Sequence, residues 1–214
     1  MMNILRRPFR YSHFNVVYWL IGINVIVFAA TYLLGPRNQQ NFIIHMSMIP
    51  AAVIELKWYW TFVTYMFMHG NIRHILFNML GLFIFGLHVE RQMGSKEFLT
   101  FYLVTGALAG VFSFIVYYFT GNFIVALMGA SGALYAVQLA YAILFPNSII
   151  YIWGILPLRA PIMVLGYTVL SLFFVITGGG GNVAHLTHLA GFAFGWLYFV
   201  VRFGVSPWRR LLGR

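Results

Sequence analysis

The sequence predicts an all-α, polytopic membrane protein, a single bundle of six transmembrane helices occupying residues 1–214. Three observations predict it. Hydrophobic residues make up 62% of the chain and charged residues only 7%, against roughly 25% charged in a soluble domain. Six apolar segments account for most of the length, each near the roughly 20 residues that cross a bilayer. The basic residues divide unevenly between the two sides that those segments define.

The segments run approximately Val16–Leu34, Ile72–His88, Phe98–Phe119, Ser131–Phe145, Pro161–Thr177 and Ala184–Phe203. The first follows Arg6, Arg7 and Arg10, as a signal peptide would, but no small-residue cleavage site follows it and it is read as an uncleaved helix. The connection Gly35–Trp60 is the longest; its Trp58, Tyr59 and Trp60 suit the headgroup level, so part of it is expected in the membrane surface. The fourth segment is broken by Gly129-Ala130-Ser131-Gly132. Glycine costs about 1 kcal/mol in a helix, so an irregular stretch before Ser131 and a short helix after it are expected. Irregular backbone at membrane depth has to be buried in protein or line a cavity.

Six spans put both termini on one side. Arg6, Arg7, Arg10, Arg91, Lys96, Arg159, Arg202, Arg209, Arg210 and Arg214 fall there, and only Arg37, Lys57 and Arg73 on the other. The positive-inside rule then predicts a multi-pass protein of the cell membrane with cytoplasmic termini. The net charge of +10 is thereby explained by orientation. No basic run is interleaved with aromatics, so a nucleic-acid partner is not expected; the lipid bilayer is. The absence of cysteine excludes disulfides and thiolate chemistry.

Polar groups inside spans are costly and mark function. His74 and Asn78 share a helix face in segment two, Ser131 opens segment four, and His185 and His188 open segment six. All three segments run in the same direction, so these groups lie at similar depth near the outer end. A serine needs a base to become nucleophilic, and His188 can serve. Asn78, His74 and the Ser131 backbone N–H can supply the donors that an oxyanion needs. Glu55, Glu90 and Glu97 are the only acids and none is placed to orient His188, so a hydrolase here has to be a dyad. Gly191 and Gly195 form a Gly-x-x-x-Gly pattern on the His188 face, facing Gly132 and Ala136 of segment four. Gly204, beyond the end of segment six, is expected to tolerate a valine.

Structural readings compete residue by residue. A serine in a span often bonds back to a carbonyl, His74 and Asn78 can brace the first loop, and His185 can be structural. Tyr135 reads first as core, Glu90 as a cap or an ion pair with Arg91, and His69 as bonding loop backbone. His13, His45 and His88 sit near interfaces without a functional reading. Two further functions compete with a serine hydrolase. One is a metal-dependent hydrolase using His74, His185 and His188, for which no carboxylate base is near. The other is a non-catalytic binder of transmembrane helices, which would be expected to lack the serine or the histidine. No internal repeat supports a carrier.

Four motifs, in order, resemble the rhomboid family of intramembrane serine proteases. They are His69-Gly70-Asn71 leading to His74-x-x-x-Asn78-Met79; Glu90 with Gly94 and Ser95; Gly129-Ala130-Ser131-Gly132 with Tyr135; and Ala184-His185-x-x-His188-Leu189-Ala190-Gly191 with Gly195. The resemblance implies a six-helix rhomboid-like domain and an endopeptidase without cofactor or metal. It implies Ser131 as nucleophile, His188 as base, His74 and Asn78 at the oxyanion site, and Tyr135 against the His188 ring. It also implies single-span transmembrane proteins as substrates, cut near small residues where their helix unwinds. Neither a particular substrate nor an oligomeric state is indicated. One departure stands out: the family's Trp-Arg before Thr-x-Met-Phe-x-His is here Trp60-Thr61, which puts the anchoring of the first loop in question.

Overall fold

A computed structural model describes residues 8–152, 154–177 and 182–211, with the side chains of residues 36, 37, 182 and 183 excepted. Arg6, Arg7 and Arg214, counted in the charge asymmetry, lie outside the described residues, as does the Arg37 side chain. Among the described residues, five helical stretches are long and apolar enough to cross a membrane: Val16–Leu33 (α1), Ile72–Met93 (α5), Ser95–Phe119 (α6), Ala160–Thr177 (α8) and Ala184–Phe203. The last begins as α9, Asn182–Tyr198, and ends in a π-turn, Phe199–Phe203. A second π-turn, Leu82–Gly86, lies within α5.

The fourth segment differs from the other five. Its helix, Ser131–Leu144 (α7), has 14 residues. At 1.5 Å per residue it is about 21 Å long, short of the roughly 30 Å hydrocarbon core. The short helix expected after Ser131 ends at Leu144, one residue before the Phe145 read from the sequence, and irregular chain over 120–130 precedes it. Ten of its 14 residues are buried. Packed against α5, α6, α8 and α9, it need not reach both headgroup layers, because protein rather than lipid surrounds it.

The long first connection folds into short helices: Pro36–Met46 (α2), Pro50–Glu55 (α3) and Thr61–Thr64 (α4). It is tied to the irregular chain before α7. Met48 N–H donates to the Leu127 carbonyl (3.1 Å), Leu127 N–H returns the bond (2.9 Å), and Ala51 N–H donates to Phe123 (2.9 Å). Thr61 does not leave this loop loose. Its hydroxyl caps the Trp58 carbonyl (2.6 Å), the Trp60 indole donates to His45 (3.0 Å) and Thr64 to Met46 (2.8 Å).

At the opposite end, two buried carboxylates organise the chain termini. Glu90 accepts the N–H groups of Val16 (2.6 Å) and Val17 (3.0 Å) and the Ser95 hydroxyl. It thus caps α1, whose first N–H groups have no intrahelical acceptor. Of the two readings of Glu90, the cap is observed; Arg91 is exposed. Glu97 accepts the Arg202 guanidinium through Nε (2.7 Å) and Nη2 (2.9 Å), the Tyr198 hydroxyl (2.6 Å) and the Phe9 N–H (3.0 Å). That pair joins α6 to the far end of the last span. Between α7 and α8, where no apolar periodicity announces it, the chain forms an antiparallel hairpin, Ile149–Ile152 (β1) with Leu156–Arg159 (β2).

Candidate active site

Ser131 is the first residue of α7, and its position is fixed by the chain before it. Gly129 N–H donates to the Tyr65 carbonyl (2.9 Å), and the Tyr65 hydroxyl reaches the Gly106 carbonyl of α6 (2.7 Å). Gly129 has φ 121°, a left-handed conformation that glycine adopts without strain. A Cβ there would also lie 2.5 Å from the His74 Nε2. The glycine before the serine is therefore required twice, by its backbone angle and by the imidazole seated against it.

His188 lies in the second turn of α9. Its Nε2 is 2.9 Å from the Ser131 Oγ, a hydrogen bond across 57 positions of sequence. The ring stacks on Tyr135, with centroids 4.1 Å apart and planes at 11°. Its Nδ1 is buried with no hydrogen-bond partner among the described residues. Among the described residues no carboxylate orients the imidazole; the flat contact with Tyr135 does. One position before it, Thr187 is bonded to Ser113 of α6 (2.6 Å), which fixes the rotation of α9 at this level.

The approach of α9 to α7 depends on small residues. A Cβ on Gly191 would fall on the Gly132 carbonyl oxygen, and one on Gly195 would lie 3.1 Å from the Ala136 Cα. The facing pairs anticipated from the Gly-x-x-x-Gly pattern are these.

Asn71 caps α5, accepting the His74 N–H (2.9 Å). The Asn78 side chain donates to the His74 carbonyl (2.8 Å), so one amide hydrogen is used locally and a second is left. His69, in the loop ahead of α5, meets His74 edge to face at 4.9 Å. Burial, with His74 close by, lowers its imidazole to about 4, so it is neutral at pH 7. His185 stacks on Phe174 at 4.8 Å and meets the His188 ring edge-on at 6.0 Å. No three ligating side chains converge on one point among the described residues.

His74, Asn78, Ser131, Tyr135 and His188 all line one open cavity of about 700 Å³ between α5, α7 and α8. Sequence reasoning missed several contributors. Ile150, Tyr151 and Ile152 of β1 line the same cavity, as does Gln138 of α7. The hairpin carries no motif; alternating exposure in a four-residue strand is too short a signal to read. Ser113 and Thr187 looked like ordinary span residues, and only their 74-position separation in sequence hides the bond.

Residues 56–205 match the family described as the Rhomboid domain. The chain is 29% identical over 199 residues to RHOMBOID-like protein 12, mitochondrial, of Arabidopsis thaliana, covering 82% of this chain and 58% of that protein. It is 32% identical over 118 residues to Rhomboid protease GlpG of Haemophilus influenzae, covering 54% of this chain and 58% of that one. Rhomboid-like protein 16, chloroplastic, of Arabidopsis thaliana is 29% identical over 197 residues, with 83% and 59% covered. The chain thus spans less than two thirds of the length of each of these relatives.

Proposed function

From the premise that this chain belongs to the rhomboid family, we propose that it is an intramembrane serine endopeptidase cutting transmembrane-helix substrates with a Ser131–His188 dyad. The observation that carries the proposal is the 2.9 Å contact between Ser131 Oγ and His188 Nε2, both of which line one cavity.

In this reading Ser131 Oγ attacks the scissile carbonyl carbon while its proton passes to His188 Nε2. The tetrahedral oxyanion takes hydrogen bonds from the free Asn78 amide hydrogen, from His74 and from the Ser131 N–H. His188 then gives its proton to the leaving amine, and the C–N bond breaks to leave an acyl-serine. Water enters through the open cavity and attacks the acyl carbon as His188 takes its proton; the ester C–O bond then breaks, His188 returns that proton to Ser131 Oγ, and the acid is released. Tyr135 keeps the imidazole in plane and Gly191 keeps it near. Neither cofactor nor metal takes part. The substrates are single-span membrane proteins whose helix unwinds locally. The protein sits in the cell membrane as one transmembrane domain with both termini in the cytoplasm, as the ten-to-three split of Lys and Arg implies.

A fluorophosphonate probe with site mapping by mass spectrometry tests the proposal. Labelling is expected at Ser131, absent in Ser131→Ala, strongly reduced in His188→Ala, and unchanged by EDTA. Labelling at Ser113 or Ser171 instead, or activity lost to chelator and restored by zinc, would overturn it.

A further inference from the structure

Gln138 is 7% exposed, and it lines the cavity that holds Ser131. Its Oε1 is buried with no hydrogen-bond partner among the described residues. An unsatisfied buried acceptor carries a desolvation cost, and such groups in folded proteins call for an explanation. Packing supplies none here, since a leucine of similar volume would fill the same place without that cost.

The position of Gln138 on α7 offers one. It lies seven residues after Ser131, close to two full turns, so the two side chains emerge on one face about 10 Å apart along the axis. Leu134 and Tyr135 lie between them on the same wall of the cavity. An extended peptide advances about 3.3 Å per residue. A strand with its scissile bond at Ser131, running along α7, therefore brings its third residue level with Gln138. A substrate helix that unwinds to be cut exposes peptide groups in a low-dielectric site, where each needs a partner.

We infer that Gln138 is a substrate-positioning residue, whose amide pairs with the main-chain peptide group about three residues from the scissile bond on the membrane-deep side. This rests on the proposed protease reading. It assigns a recognition that is independent of the substrate's side chains: the site reads an unwound backbone. In an extended strand the N–H and C=O of one residue point to the same side, so the amide meets both, its oxygen accepting the N–H and its NH₂ donating to the C=O.

The test uses the full-length protein and a synthetic transmembrane peptide carrying one N-methylated residue at successive positions past the cleavage site. N-methylation removes the N–H donor without adding charge. One net hydrogen bond corresponds to roughly a fivefold change. For the parent protein, N-methylation at the third residue is expected to raise KM about fivefold; at the sixth it should have little effect. Gln138→Leu is expected to raise KM by a similar factor for the unmodified peptide and to abolish the sensitivity at the third residue. Its thermal stability should hold or increase, and Ser131 labelling by fluorophosphonate should persist. Unchanged KM in Gln138→Leu, or additive penalties from the two changes, would overturn the inference. Loss of Ser131 labelling in the parent protein would instead sink the protease reading beneath it.

Discussion

Tyr135 and His188 lie face to face, their rings 4.1 Å apart and 11° from parallel, and that stack stands where a carboxylate stands in a serine triad. With Nδ1 unbonded among the described residues, what orients the imidazole besides its Nε2 bond to Ser131 is the area and shape of the Tyr135 ring. Tyr135→Phe is expected to keep most of the activity, because the ring persists. Tyr135→Ala should lower kcat about 100-fold, since misplacement of a base by about 1 Å costs that much. Turnover of a model substrate by the two variants checks this; equal losses would show that the hydroxyl, not the ring, matters.

The closeness of α7 and α9 gives the next expectation. A methyl group on Gly191 would meet the Gly132 carbonyl oxygen, which is backbone and cannot turn aside. Gly191→Ala should therefore lower turnover at least 10-fold and destabilise the bundle, by an overpacking cost of about 1–3 kcal/mol. Gly22 of α1 has open space around its Cβ direction, so Gly22→Ala is the control and should change neither. Gly204, which sequence position alone recommends as a tolerant site, is a poor one: its φ of 63° strains a valine there. Full turnover in Gly191→Ala would remove close helix contact as the device that brings His188 to Ser131.

Five of the spans, and the Ser131 and His188 that the fold brings together, were legible in the sequence because both depend on local chemistry. Apolar runs announce helices in lipid, and a serine between glycines or paired imidazoles inside a span are costly enough to stand out. The shortness of α7 was readable as a break at Gly129–Gly132 and its extent to within a residue, but its burial inside the bundle was not, because apolar residues look alike whether lipid or protein covers them. Glu97 shows the opposite limit. Its place at a span end was evident, yet its partners Arg202 and Phe9 are 105 and 88 positions away, and no pattern within a helix links them. The hairpin at 149–159 escaped for a third reason: its strands are too brief for alternation to rise above the apolar background.

Removing the Glu97 carboxylate should destabilise without touching the chemistry. Glu97 is 1% exposed and answers the Arg202 guanidinium in a two-pronged contact. Glu97→Gln removes the counter-charge from a partly exposed cation, a loss expected to cost about 1.5–3 kcal/mol, the size of a hydrogen bond to a charged group. Thermal denaturation in detergent should show it, while fluorophosphonate labelling of the protein still folded proceeds at the parent rate. Glu97→Gln with Arg202→Leu should recover part of the loss. A double variant no better than the single one would mean the pair is not coupled.

Orientation can be read from the loop that joins α6 to the irregular chain. Asn122 is exposed there, and the chain contains no cysteine to compete. Asn122→Cys is expected to react with a membrane-impermeant maleimide from outside the cell, whereas Trp208→Cys, exposed on the Pro207–Leu211 helix (α10) near the C-terminus, should react only after permeabilisation. The reverse pattern would invert the topology and, with it, the side from which Ser131 is reached.

The last expectation separates catalysis from bracing at Asn78. Its side chain already donates to the His74 carbonyl, and a residue that only braced α5 would need nothing more. An amide has two hydrogens, however, and Asn78 lines the cavity with Ser131. If the second hydrogen meets the developing oxyanion, it acts in the transition state and hardly at all on bound substrate. Asn78→Ala should then lower kcat by about 100-fold or more, the size of one lost oxyanion donor, with KM little changed. Asn78→Asp should be at least as slow, because a carboxylate beside an oxyanion repels it. The fluorophosphonate reaction also passes through an anionic, five-coordinate phosphorus, so labelling of Ser131 should slow in parallel. A brace predicts something else: a lower melting temperature, a higher KM from a displaced first loop, and a normal kcat in the molecules that remain folded. Measuring kcat, KM and melting temperature together on Asn78→Ala decides between them, and a normal kcat beside a raised KM would take Asn78 out of the oxyanion site.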